Sequence, residues 1–168
     1  QAFAQDYDVV IVVENDLYRR LPVAQVDAAL AKVQDLIVLD HSETATVKQA
    51  SIVLSAASFA EGDGTVVSQE GRAQRFFQVY DPVYYRPQSM VKESWRWLHA
   101  IESELNGRAI DWTQLDNVIA AVADTNPQLA AIRQAAPSAD YRITGLKVAR
   151  EPHRYSGRAA IRAGGCRH

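Results

Sequence analysis

The segment from Ser58 to Asp81 carries the densest set of residues that could do chemistry. Glu61 and Glu70 could act as an acid–base pair with Arg72 as their electrostatic partner. The same residues could instead form a structural ion pair, since a guanidinium can clamp a carboxylate through two hydrogen bonds. Structural ion pairs imitate active sites. We therefore predict no catalytic residue here, and we expect Glu70 and Arg72 to neutralise each other where water is scarce.

Glycines in the same segment raise the question of a phosphate site. A glycine-rich loop can cradle phosphate when it joins a strand to the N-terminus of a helix. Gly62-Asp63-Gly64 instead leads into a strand-like run, and the Asp63 carboxylate would repel a phosphate. We predict a tight turn with positive φ angles here and a second turn at Gly71. Gly64 and Gly71 are thus assigned backbone roles.

Polar residues also follow two apolar runs near the start of the chain. Glu14 and Asp16 come after the first run, and His41 comes after the second. Open α/β sheets bind ligands at the carboxyl ends of their strands, so these three residues are the candidate binding residues. Polar strand-end loops explain them equally well. A metal site is not predicted, because His41 has no second histidine near it in sequence and ligand clusters carry that inference.

The elements that would position these residues follow from hydrophobic patterning. The β-branched run Asp8–Val13 predicts a strand buried on both faces, as in a parallel sheet. Apolar residues at helical spacing from Val23 to Val33 predict a helix, and Leu36–Leu39 predicts a second strand. Together they form a βαβ unit. Ser51–Leu54 indicates a third strand, which gives a partial Rossmann-like parallel sheet.

The pattern changes in the middle of the chain. Alternating residues on both sides of Gly71 predict a β-hairpin, and prolines bracket an extended link from Asp81 to Arg86. Helical spacing follows from Met90 and stops at Gly107. The predicted fold is therefore α/β with a β-hairpin and a helical C-terminal half. Its parts are residues 1–81 (α/β with hairpin), 82–140 (helical) and 141–168 (an extended basic tail).

Composition excludes several classes of protein. The chain has 168 residues, of which 48% are hydrophobic and 23% charged, as in an ordinary globular protein. A net charge of −2 argues against binding to nucleic acid or to an anionic membrane. No apolar run approaches the roughly 20 residues that span a bilayer, so direct membrane insertion is not predicted. Cys166 is the single cysteine, which excludes an internal disulfide and a four-cysteine iron–sulfur cluster.

Several stretches together resemble a known family. They are DVVIVVENDLYRR, LIVLDHSETAT, SFAEGDGTVVSQEGRAQRFFQVYDPVYY, ESWRWLHA and AREPHRYSGR. These residues are similar to the G-subunit family of bacterial NADH:quinone oxidoreductase, which is respiratory complex I. A fainter similarity runs from Ala50 to Gln74, where Glu61, Gly64, Glu70, Gly71 and Arg72 match a segment of the third domain of molybdopterin oxidoreductases. Ser55 and Ser68 depart from that segment, which otherwise has proline and asparagine.

The resemblance implies a function that the residues alone do not give. It implies a C-terminal piece of a longer subunit, with no cofactor of its own and with iron–sulfur clusters in the part upstream. Expected partners are the rest of that subunit and other peripheral-arm subunits, on the cytoplasmic side of the inner membrane. The piece would support electron transfer from NADH to quinone in a proton-translocating enzyme without being catalytic alone. The alternative, from the residues, is a free-standing α/β domain that binds a nucleotide or small molecule at its strand ends.

Overall fold

A three-stranded parallel sheet forms the first part of the fold in the computed structural model, which describes residues 7–107, 111–135, 137–138 and 141. The strands are β1 (Val9–Val13), β2 (Asp35–Asp40) and β3 (Ile52–Ser55), in that spatial order. Ile37 lies opposite Ile11 on one side and Ile52 on the other. The mixed α/β class and the parallel strands predicted from the sequence are confirmed.

Two helices connect β1 to β2 and cover one face of the sheet. Helix α1 (Leu17–Arg20) begins after Asp16, whose side chain accepts a hydrogen bond from the Tyr18 amide. Helix α2 (Val23–Leu30) begins after Pro22. A buried cluster forms beneath them, with further packing from neighbouring apolar residues; it comprises Val12, Leu36 and Val38, flanked by Val10, Leu17, Leu30, Val47 and Ala50. This cluster is the core of the α/β part.

The opposite face of the sheet differs from the prediction. Strand β1 is not buried on both faces, because Val9 and Ile11 remain 50% and 39% exposed. Ile52 of β3 is aligned with Ile11 across the sheet and is 47% exposed. Ile37 of β2 lies between these two residues and is half-buried. We call Val9, Ile11, Ile37 and Ile52 the open sheet face. The β-branched run specified a strand, but burial depends on a second layer, and among the described residues that layer covers Leu39 at one end of this face and leaves Val9 and Ile11 exposed.

The predicted β-hairpin is confirmed as an antiparallel pair of β4 (Gly64–Val67) and β5 (Ala73–Phe76). Gly71 has a φ of +76°, as expected for the turn. Gly64 needs to be glycine for a different reason, because its φ is not positive. A Cβ at Gly64 would lie 2.4 Å from the Phe76 ring, so it is space beside the ring, not backbone geometry, that requires glycine here.

The link after the hairpin is helical, which corrects the extended prediction. Helix α3 (Pro82–Tyr85) is capped by Asp81, whose side chain accepts a hydrogen bond of 2.9 Å from the Val83 amide. An acidic N-cap followed by proline is a favourable helix start, since proline suits the first helical position. The two prolines therefore mark a single helical turn, not an extended segment.

Helices dominate the remaining described residues. Helix α4 (Ser94–Asn106) ends at Gly107, which has the left-handed φ of +60° predicted for a C-terminal glycine. Helix α5 (Leu115–Thr125) begins with a capping box formed by Gln114 and Asn117. Short turns follow it, a 3-10 turn at Pro127–Leu129 and helix α6 at Ile132–Ala135.

The segment entering α4 ties the helical part to the sheet. A parallel bridge joins Ala56 to Lys92 at the end of β3. Trp97 then donates its indole N–H to the Ser55 carbonyl over 2.9 Å. None of the described helices is long and apolar enough to cross a membrane. The predicted basic tail lies outside the described residues, apart from Tyr141.

Candidate functional site

The structure brings Glu14, Asp16 and His41 together at the carboxyl ends of β1 and β2, as the sequence predicted. All three line one open, polar depression there. Glu14 has a φ of +46°, and its amide donates to the Leu39 carbonyl over 2.8 Å. Its carboxylate accepts a 2.5 Å hydrogen bond from the Ser94 hydroxyl of α4. Glu14 therefore connects the sheet to the helical part.

Asp16 is held by a fully buried hydroxyl. Thr46 donates to the Asp16 carboxylate over 2.8 Å and accepts from the Leu17 amide over the same distance. Its side chain is among the largest that are completely enclosed. Two of the three predicted binding residues thus already have hydrogen-bond partners within the chain, which favours the structural interpretation of this loop.

His41 makes a longer polar contact than Glu14 and Asp16 do. Its Nδ1 lies 3.5 Å from the Asp40 carboxylate, which also accepts from the Ser42 amide over 2.9 Å. Within the part of the chain that the structure describes, no group of three or more histidine, cysteine or acidic side chains is arranged to hold a metal ion.

A more enclosed cavity lies between the hairpin and helices α4 and α5. Its volume is about 350 Å³. Its walls are mostly apolar and aromatic: Phe59, Val66, Phe76, Trp95, Leu98, Leu115, Val118, Ile119, Val122 and Ile132. Glu14 and His41 reach it from the strand ends, so the cavity adjoins the polar depression. Sequence patterning gave no sign of it, because it forms between elements that are distant in the chain.

The carboxylates of Asp63 and Glu93 line this cavity, at the point where the loop Gly62-Asp63-Gly64 meets the start of α4. Burial raises the pKa of Glu93, and hydrogen bonding to Asp63 and repulsion from its charge raise it further, against the lowering effect of Arg96. Trp95 donates its indole N–H to the Asp63 carbonyl over 3.3 Å. Gly62 allows this approach, because a Cβ there would lie 2.5 Å from Glu93 Cγ.

Glu61 stabilises the loop that precedes the hairpin. Its carboxylate accepts from the Ser58 hydroxyl over 2.7 Å and from the Ser58 amide over 3.0 Å. These hydrogen bonds lower the pKa of Glu61, the hydroxyl having the larger effect. Gln78 also donates to the Glu61 backbone carbonyl. A structural role for Glu61 is consistent with these contacts.

The expected buried pair of Glu70 and Arg72 is wrong. Both residues are exposed at the tip of the hairpin. The Arg72 amide donates to the Ser68 hydroxyl over 3.2 Å. A two-stranded hairpin turns its tip toward solvent, so charges flanking the turn residue Gly71 keep their hydration.

The arginine that is buried and paired is Arg75, which the sequence did not single out. Its side chain is only 1% exposed, and its guanidinium lies 2.6 Å from the Asp116 carboxylate in α5. It also donates to the Pro137 carbonyl. The hairpin is therefore joined to the helical part by this ion pair, which we call the Arg75–Asp116 latch. No local signal could have shown this, because the partners are 41 residues apart.

Comparison with known proteins shows which proteins this chain is similar to. No protein-family profile matches the chain. Curated relatives match 156 residues, which is 93% of the chain, at 62% identity in Pseudomonas putida, 64% in Pseudomonas fluorescens and 60% in Escherichia coli K12. Each of these relatives is named as the G subunit of NADH-quinone oxidoreductase.

The chain is homologous to part of the G subunit of NADH-quinone oxidoreductase. The resemblance stated from the sequence is thereby confirmed. The chain spans only 17% of the length of each of these relatives. The cavity, the open sheet face and the Arg75–Asp116 latch are thus features of a region that is homologous to a small part of the G subunit.

Proposed function

We propose that the chain is a structural segment of the G subunit of NADH-quinone oxidoreductase, from the C-terminal part of that subunit. The observation that carries this proposal is identity of about 60% over nearly the whole chain to one short stretch of much longer relatives. In this role it supports electron transfer from NADH to quinone by holding neighbouring parts of the complex in place. It is not itself catalytic.

The proposal extends to cofactors and location. The single cysteine of the chain cannot supply a four-cysteine cluster, so the iron–sulfur clusters belong to the upstream part of the subunit. The α/β part has the fold of the third domain of molybdopterin oxidoreductases without its cofactor. The segment works on the cytoplasmic side of the inner membrane, among the peripheral subunits. The strand-end ligand alternative is set aside, because Glu14 and Asp16 already bind Ser94 and Thr46.

The open sheet face supports incorporation into a larger body. Parallel sheets are almost always covered on both faces. Here α1 and α2 pack over the β1 and β2 part of one face, while Val9, Ile11 and Ile52 stay 39–50% exposed on the other. Among the strands that the structure describes, β1 also pairs with β2 alone. The relatives carry most of their length outside the matched stretch. The remainder of the G subunit is the occupant that we assign to this face.

Co-expression tests the assignment. The tagged chain and the remainder of the G subunit are produced as two separate polypeptides and purified through the tag. We expect the two to co-purify in equal amounts. We expect Ile11→Lys and Ile52→Lys to reduce the captured partner by about tenfold or more, because a charge in a buried apolar contact is costly.

A matched control comes from α4. Leu105 is 78% exposed and is not one of the residues of the open sheet face, so Leu105→Lys should leave capture unchanged. Capture unaffected by the two face variants would remove the assignment of this face. The other candidate occupant of this face is a second copy of the chain, which sedimentation of the isolated chain over a series of concentrations would detect. A tight dimer that Ile11→Lys dissociates would assign the face to that second copy.

A further inference from the structure

The cavity between the hairpin, α4 and α5 is large enough for a ligand. Engineered apolar cavities of about 150 Å³ bind benzene. The present cavity is about 350 Å³, which leaves room for an aromatic ring and a short chain. Ligand sites typically start at about 300 Å³ and combine apolar walls with a few converging polar groups. The apolar walls are provided by Phe59, Phe76, Trp95 and the inward residues of α5.

Polar atoms at this cavity lack partners. Asp63 Oδ1 and Thr65 Oγ1 are both buried, and neither has a hydrogen-bond partner among the described residues. Both residues line the cavity. Buried polar atoms nearly always have a partner, so two unpaired oxygens beside one cavity are a specific deficit. The ionised Asp63 carboxylate only accepts, and an ionised Glu93 beside it cannot donate, so the missing partner of Asp63 Oδ1 is a donor that neither carboxylate supplies.

Carboxylates predominate among the ionisable side chains that line the cavity, and His41 is the other such lining residue. Three carboxylate residues line it, namely Glu14, Asp63 and Glu93. The lining residues include no lysine or arginine. Arg96 binds Glu93 over 2.8 Å from outside the lining. Such a site repels anions, including phosphates and nucleotides, and attracts cations.

We infer that this cavity binds a small amphiphilic cation, with an aromatic or aliphatic body against Phe76, Trp95 and Ile119 and an ammonium group that donates to Asp63 Oδ1 and Thr65 Oγ1. The inference follows from the shape, the unpaired oxygens and the charge of the cavity. It is independent of the proposed structural role, because a structural segment of a complex can also hold a small molecule.

Three probes of the same body and different head groups test it on the unaltered chain. They are 4-phenylbutylamine, which is a cation, 4-phenyl-1-butanol, which is neutral, and 4-phenylbutyrate, which is an anion. Isothermal titration calorimetry measures the affinity of each. We expect one amine per chain, bound at least about tenfold more tightly than the carboxylate, with the alcohol between them.

Variants locate the binding. Asp63→Asn removes the charge at the unpaired oxygen and should reduce the preference for the amine, whereas Glu104→Gln on the exposed side of α4 should not. Ile119→Trp fills the cavity and should abolish binding of all three probes. Far-ultraviolet circular dichroism verifies that each variant is folded.

Each contrary outcome overturns the inference. Absence of amine binding to the unaltered chain would mean that another part of the subunit or of the chain fills the cavity. Equal binding of amine and carboxylate would remove the role of the carboxylates. Amine binding that persists in folded Ile119→Trp would place the amine elsewhere. A folded Asp63→Asn variant with an unchanged preference would remove the assigned donor contact.

Discussion

The guanidinium of Arg75 in β5 and the carboxylate of Asp116 in α5 lie 2.6 Å apart and join the hairpin to the helical part of the chain. The two ends of the pair differ in solvation, because the Arg75 side chain is 1% exposed and that of Asp116 is 45% exposed. Arg75 is therefore the charge that depends on its partner, while Asp116 keeps some of its hydration without it.

This asymmetry gives the first prediction. Asp116→Ala strands the buried Arg75 charge and should lower the free energy of unfolding by about 3–5 kcal/mol. Arg75→Met removes the charge and fills much of the same space, so it should cost less. Arg72→Ala is the matched control at the exposed hairpin tip and should cost no more than about 0.5 kcal/mol. Urea unfolding of the three variants decides; equal costs for Asp116→Ala and Arg72→Ala would contradict the latch.

A second prediction concerns the buried hydroxyl of Thr46. Thr46→Val keeps the shape of the side chain but removes the hydroxyl that donates to the Asp16 carboxylate and accepts from the Leu17 amide. The expected loss of unfolding free energy is about 2 kcal/mol. Thr125→Val is the control, because that hydroxyl donates to the Ala121 carbonyl of its own helix. Comparable losses in the two variants would show that the Thr46 network does not position the loop.

The third prediction uses the hydrogen bonds to Glu61. They lower the pKa of Glu61 in the folded chain, so they contribute stability above the ordinary glutamate pKa, which is lost as the pH falls through the lowered value. Ser58→Ala should cost about 1 kcal/mol at pH 7, discounted because Glu61 is only partly buried. The cost should shrink as the pH falls below about 4.

Ser103→Ala provides the control for Ser58→Ala. The Ser103 hydroxyl is buried and has no hydrogen-bond partner among the described residues. Its removal should be neutral or slightly stabilising at every pH. Thermal melts at several pH values measure both variants, and a cost of Ser58→Ala that stays constant with pH would dissociate Ser58 from the ionisation of Glu61.

The fourth prediction concerns Glu93, whose pKa is shifted in the opposite direction from that of Glu61. Burial raises the pKa of Glu93, so its ionised form costs stability once the pH rises above the ordinary glutamate value and through the raised one. Glu93→Gln should therefore be more favourable, relative to the native chain, at pH 8 than at pH 4. The Arg96 contact is lost in this variant at both pH values. The effect of Glu93 ionisation is therefore given by how the difference in melting temperature between variant and native chain changes from pH 4 to pH 8. No change with pH would contradict the raised pKa.

Local patterning determined most of the elements. The β-branched run before Glu14 and the apolar runs before His41 and Ser55 became parallel strands, and the glycine at 107 ended α4 with a left-handed residue. These features depend on backbone preferences and side-chain period, which neighbouring residues set by themselves. The placement of Glu14, Asp16 and His41 at one edge also followed, because parallel strands end on the same side.

Tertiary structure decided which charges matter. The sequence offered Arg72 beside Glu70, yet the hairpin exposes both and buries Arg75, whose partner lies 41 residues further along. Burial of β1 was likewise undecided by its residues, since a second layer must be present to cover the open sheet face. The cavity arises only where the hairpin and two helices meet. Solvation and long-range pairing depend on which elements pack together, and no local pattern encodes that.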